Sequence, residues 1–196
     1  MEQTQKIQSS GGKLMESVLH ARLKEIQNYF SDNKEIIHAD LKRCIDMLYS
    51  EACSLQQTEK KGPIQFLSIS YLQRCIFTKK YEVRLDLYDK DFYLDKCKTT
   101  QYWDMNFLFH FFEQDMEYFK KHIGKVIFQI KEYEEKEFAL WYITHYYKIA
   151  ELFFRDHIND MIHNEFSVSL KRCEDFKVVF GGYMDEQTVL HQLREE

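Results

Sequence analysis

Glycine and proline are scarce in this sequence, with six glycines and one proline in 196 residues. A loop that cradles phosphate needs several glycines close together. Those here stand at 11, 12, 62, 124, 181 and 182, which excludes a Gly-rich nucleotide loop. The nucleophile elbow G-x-S-x-G and the paired histidines of H-E-x-x-H are missing too, removing the patterned forms of serine hydrolase and zinc protease. Five cysteines, Cys44, Cys53, Cys75, Cys97 and Cys173, contain no C-x-x-C pair. Their odd number and wide spacing point to free thiols in a reducing compartment, against a disulfide frame or a zinc knuckle. Apolar runs such as Phe107–Phe112 fall far short of the roughly 20 residues that cross a bilayer. The first 13 residues are rich in Gln, Ser and Gly and have no apolar centre. No secretory signal and no membrane association are expected, and the location expected is cytoplasmic.

Charge narrows the partners. The formal net charge is −5 and the isoelectric point is near 5.9. Lys and Arg are scattered among acids rather than gathered into a stripe, which speaks against nucleic acid, whose phosphates need a basic face. An acidic chain suits a basic patch on another protein. With 44% apolar and 30% charged residues, there is enough apolar surface to offset the entropy of ordering a fold.

Met15, Leu19, Leu23, Ile26 and Phe30 recur at helical period from about Lys13 to Phe30. Ile37, Leu41, Cys44, Leu48, Ala52 and Leu55 repeat the pattern to about Gln57. Asp32 and Glu35 have capping-box spacing at the junction, which predicts an antiparallel helical hairpin. Residues 1–12 are expected to form a flexible tail. Pro63 beside Gly62 ends the second helix.

Tyr81, Val83, Leu85 and Leu87 alternate with polar residues, as a half-buried strand does. Residues 64–77 are the expected antiparallel partner across a hairpin at Thr78-Lys79-Lys80, and 92–96 and 176–180 are candidate third and fourth strands. Met105, Leu108, Phe112, Met116, Phe119, Ile123 and Ile127 share one arc, predicting a helix of about 40 Å that runs through Gly124 at ~1.5 Å per residue. The final helix, over about 134–163, is apolar on two sides. Phe138, Trp141, Tyr142 and Phe153 mark one; Leu140, Ile143, Tyr147, Phe154 and Ile158 mark the other. Such a helix is either central or a contact surface. The predicted architecture is α+β, a mainly helical single domain over 13–196 with about four long helices packed on a small antiparallel sheet.

Two acid-x-x-His steps, Glu35 to His38 and Asp160 to His163, have the form used by carboxylate-bridged di-iron helices, with Glu113, Glu117 and Glu151 as nominal further ligands. A chain with 32 acids and eight histidines in this length produces about 1.3 such steps by chance, so two are no enrichment. No metal or other cofactor is expected. Asp86, Asp89, Asp91 and Asp95 crowd one hairpin but lack the central Gly and terminal Glu of a calcium loop. Turn chemistry and a solvated strand face account for them. His145 projects beside Tyr142, Tyr146 and Ile149, and without a locally placed acid it reads as a core histidine before a general base. No catalytic residue is assigned.

Aromatic residues reach 16%, with 13 Tyr and 16 Phe. Tyrosine joins a large apolar ring to a polar tip and is enriched where proteins bind proteins, although a bulky core explains the surplus equally well. The reading reached is a non-enzymatic cytosolic factor, accessory, inhibitory or immunity-like, that binds another protein or itself through Tyr147, Phe154, Tyr142, His145 and Trp141. Its rivals are a small enzyme or ligand sensor with a pocket between helices and sheet, and a carboxylate/histidine metal protein.

Overall fold

The computed structural model describes residues 2–127, 129–163 and 168–193, with residues 2–4 and 6 described by backbone alone. In chain order the elements are α1 (Glu2–Asp32), α2 (Lys34–Gln57), β1 (Ile64–Tyr71), α3 (Cys75–Thr78), β2 (Glu82–Tyr88), β3 (Thr99–Asp104), α4 (Asn106–Ile123), α5 (Glu132–Asp156), α6 (Ile158–Ile162), β4 (Arg172–Gly182) and β5 (Gln187–Gln192). The class is α+β. Six helices are present among the described residues, four long and two of a turn or so, where about four were expected. The chain forms two compact units, one from residues up to 34 with 73–81 and 105–150, the other from 35–72, 82–104 and 151 onward.

The first unit is helical. Residues 2–12, expected as a tail, are instead the opening turns of α1. Ile7 is 2% exposed, and Gly11 lies against the rings of Phe119 and Phe138. The absence of a side chain at Gly11 lets α1 approach α4 and α5 closely, so here glycine serves packing rather than flexibility. Phe109, Phe112, Met116 and Phe119 form the buried face of α4. That helix does not run through Gly124 as expected; it stops at Ile123. The amides of Val126 and Ile127 both turn back to the Ile123 carbonyl, at 2.9 and 2.8 Å. The next helix has its own start signal, because the buried Glu134 carboxylate accepts the Lys131 amide at 2.8 Å, the reach-back half of a capping box.

The second unit holds a five-stranded sheet of order β3-β2-β1-β4-β5. The expected sheet was antiparallel; the observed one is mixed, because β1 and β4 pair in parallel while the other neighbours are antiparallel. A parallel pair needs a long crossover, and β1 and β4 are separated by about half of the chain. Alternation puts Leu67, Ile69, Leu85, Leu87, Val178 and Phe180 on one face, all buried. From α2, Asp40 accepts the Trp103 indole N–H at 3.0 Å and the Cys44 thiol points at the Tyr102 carbonyl, tying the helix to β3. Buried Gln56 bonds the backbone of Gly62 and Lys171 and so positions the entry to β4.

Residues 92–96, expected as a third strand, instead hold a 3-10 turn at Phe92–Leu94 followed by a loop. Asp95 explains this: its carboxylate takes the Lys61 ammonium at 2.6 Å and the amides of Asp89 and Cys97, which gathers the segment into a loop. The third strand lies at 99–104, and a fifth, unanticipated, at 187–192. The last helix, expected unbroken over 134–163, is interrupted at His157.

Candidate functional site

Of the five side chains singled out for binding, Tyr142, Tyr147 and Phe154 are buried. In the first unit the Tyr142 hydroxyl donates to Asp115 at 2.9 Å, and the Tyr147 hydroxyl lies 3.4 Å from the Cys75 thiol. In the second unit Phe154 meets the rings of Trp103 and Phe180 at 5.7 and 5.8 Å. Trp141 and His145 are half-buried and meet edge to face at 5.4 Å. Burial lowers the His145 pKa, so this ring is neutral at physiological pH. The structure therefore brings Trp141, Tyr142 and His145 together and gives Phe154 a separate, packing role.

Asp115 was not anticipated. It is fully buried within the first unit, where it accepts the Arg22 guanidinium at 2.9 Å, Tyr142 at 2.9 Å and Tyr146 at 2.6 Å. Burial, and then the negative charge of Asp115, push the pKa values of both phenols far above their ordinary value. Each group in this cluster already has partners, and such a satisfied network specifies packing.

The polar face of the sheet has the same character. Arg84 grips Asp86 with two bonds of 2.7 and 2.9 Å and lies under the Tyr183 ring at 4.3 Å. Ser68, Ser70, Gln187 and Tyr93 bond one another within 3.2 Å. These pairings, with Asp95 on Lys61, give structural partners to two of the four acids in the hairpin cluster, while Asp89 accepts the Asp91 amide as a turn cap.

Among the described residues, each unit has an open place. The first unit has a groove of about 270 Å³. Ile76, Phe77, Phe112, Met116 and Ala139 give it an apolar lining, and Lys79, Glu113, Glu117, Lys120, Glu132, Glu135 and Lys136 surround them with charges of both signs. Phe77 is 61% exposed although it stands on the one-turn helix α3. Glu113 is held from one side by Lys79 at 2.6 and 2.8 Å and from the other by the Tyr81 hydroxyl.

The second unit has a cavity of about 260 Å³ walled by Leu41, Ile45 and Met161 and edged by His38, Lys42, His157, Asp160 and His163. Three of the four residues in the acid-x-x-His steps thus converge; Glu35 does not take part. His157 was overlooked, although it precedes Asp160 by three residues and His163 by six, a spacing that repeats polar side chains along one helical face. The Nε2 atoms of His38 and His157 face each other, with their rings at 89°. Among the described residues no group of three or more His, Cys, Asp or Glu side chains is gathered to hold a metal ion by itself, and no helix is long and apolar enough to cross a membrane.

Comparison with protein families, with curated proteins and with solved structures finds no match to this chain.

Proposed function

We propose that the protein acts by binding rather than by catalysis, as an accessory, inhibitory or immunity-like factor that engages another protein. The groove around Phe77 supports this reading. An aromatic ring standing well into solvent, next to Ile76, Met116 and Ala139 and ringed by Lys and Glu, has the build of a protein-contact patch with an apolar centre and a polar rim. Charges of both signs at that rim suit a polypeptide, whereas a phosphate backbone requires one sign. Anchoring aromatics of this kind carry most of the energy of an interface, so Phe77 is the residue to change.

Phe77→Ser is expected to melt within a few degrees of the parent, because its side chain is largely exposed already. It should lose a partner that the parent retains from an extract of the native cell, or lose self-association in sedimentation experiments. An unchanged set of captured proteins together with unchanged sedimentation would refute the reading.

A further inference from the structure

We propose that the head-on hydrogen bond between His38 and His157 is an acid-sensitive latch, which holds the start of α6 to α2 near neutral pH and lets it open locally when both rings take a proton. This goes beyond the protein-binding reading and does not depend on it. Counting hydrogens shows why the contact responds to acid. His157 Nδ1 lies 2.7 Å from the Phe153 carbonyl oxygen. A carbonyl can only accept, so Nδ1 carries a hydrogen and, in the neutral ring, Nε2 carries a lone pair. That lone pair faces His38 Nε2, whose hydrogen fills the space between the two nitrogens. The closed pair therefore has three places for ring hydrogens, the two Nδ1 atoms and the one shared position, whereas two imidazolium rings need four. It holds at most one positive charge. A fourth hydrogen would point straight at the third, so a second proton binds only after the rings part.

The place of the pair in the fold gives that parting a consequence. His157 stands where the last long helix breaks, with φ −107° and ψ 10° ahead of α6. Its ring is stacked on Phe153, with centroids 4.2 Å apart, and its carbonyl accepts the Met161 amide at 3.2 Å. One residue thus joins α5, α6 and, through His38, α2, along the cavity walled by Leu41, Ile45 and Met161. The charges nearby come from all three helices. On α2, Lys34 and Glu35 stand one turn before His38, and Lys42, paired with Asp46 at 3.2 Å, one turn after it. On α6, Asp160 and His163 edge the cavity. On α5, Glu151 and Arg155 pair with each other at 3.1 Å, and Asp156 is exposed. Asp160 favours positive charge on the pair, but no neighbouring charge creates a fourth hydrogen position. Burial of Ile158, Met161 and Ile162 opposes release, which keeps the open state a minor one near neutral pH. The open pair binds two protons and the closed pair one, so acid favours opening, by up to ~10-fold for each pH unit below ~6.5, the ordinary imidazole value.

The test is amide hydrogen exchange of the full chain, followed by NMR from about pH 7.5 down to about pH 5 and corrected for the pH dependence of exchange itself. The Met161 and His163 amides, bonded to the His157 and Asn159 carbonyls, should lose protection by up to ~10-fold per pH unit below ~6.5, while those of β1 keep theirs. His38→Gln places a carboxamide opposite His157 that offers either a donor or an acceptor and so suits both protonation states. It should keep the protection in acid, with the parent's circular dichroism showing that it is folded. The ring nitrogen chemical shifts of the parent read the same event without a variant: the pair should take up one proton while these amides stay protected, and the second only as protection falls. Protection that stays flat in the parent down to about pH 5 would overturn the proposal. So would an equal loss in a folded His38→Gln, or two imidazolium rings in a parent chain whose Met161 and His163 amides remain protected.

Discussion

Gly11 and Gly124 should respond to alanine with opposite signs. A Cβ on Gly11 would lie 2.6 Å from a ring carbon of Phe138 and 2.9 Å from one of Phe119, and these two buried rings are stacked 3.9 Å apart with little room to yield. Overpacking of ~1–3 kcal/mol then exceeds the ~1 kcal/mol gained from better helix propensity. A net loss is expected for Gly11→Ala. Gly124 has φ −59° and ψ −18°, which any residue adopts, and nothing lies within 4 Å of its added Cβ. Gly124→Ala should gain ~0.4–1 kcal/mol by restricting the unfolded chain. Urea midpoints at constant m-value decide both; a stabilised Gly11→Ala would restore the tail reading of residues 1–12. In composition, a glycine at a close helix contact cannot be told from a glycine in a linker, which is why Gly11 was misread. Asp115 escaped notice for a related reason: its cation, Arg22, is 93 residues away and no local spacing announces the pair.

At the scale of elements, α5 is apolar on two sides because both are buried over much of its length. Phe138, Tyr142, Ile143, Tyr146, Ala150, Phe153 and Phe154 are buried, Trp141 and Ile149 are half-buried, and Tyr133, Leu140 and Leu152 are exposed, Leu152 to 61%. Phe154→Ala removes a ring that meets Trp103 and Phe180, so a loss of ~3–5 kcal/mol is expected. In a chain of this size that lowers the melting temperature by roughly 10 °C. A variant that melts with the parent would show Phe154 to be superficial and revive it as a contact residue.

Periodicity made the long helices and the β1/β2 pair legible, since both signals are local. It failed at β3, a six-residue strand that ends just before the strong helical pattern of α4 begins. It failed again at β5, an outer strand whose residues are exposed or half-buried and so carry no alternation. The parallel pairing of β1 with β4 is set by contacts across more than a hundred residues, which no window on the sequence contains. The cavity histidines are half legible: the acid-x-x-His steps name His38 and His163, but only folding reveals that His157 is the ring facing His38.

At the scale of the whole molecule, the tyrosine surplus makes a statement about pH. Tyr49, Tyr81, Tyr88, Tyr142 and Tyr146 are buried, and burial raises the pKa of each above the ordinary 10.0; Tyr49 reaches about 12. The sign follows from proton counting. Below pH 10 each phenol is protonated in both the folded and the unfolded chain, so stability is fully present. Above pH 10 the unfolded chain releases protons that the fold retains, and each such tyrosine then removes ~1.4 kcal/mol per pH unit. Five together remove ~7 kcal/mol per unit, which consumes an ordinary stability of ~5–15 kcal/mol between about pH 11 and 12. Phenolate absorbance and far-ultraviolet circular dichroism recorded along one alkaline titration test this. The five buried tyrosines should ionise in a single steep step that coincides with loss of helix. If all 13 tyrosines titrated smoothly near pH 10 in a chain that stayed folded, their rings would be reaching solvent, and the surplus would belong to the surface rather than to the core.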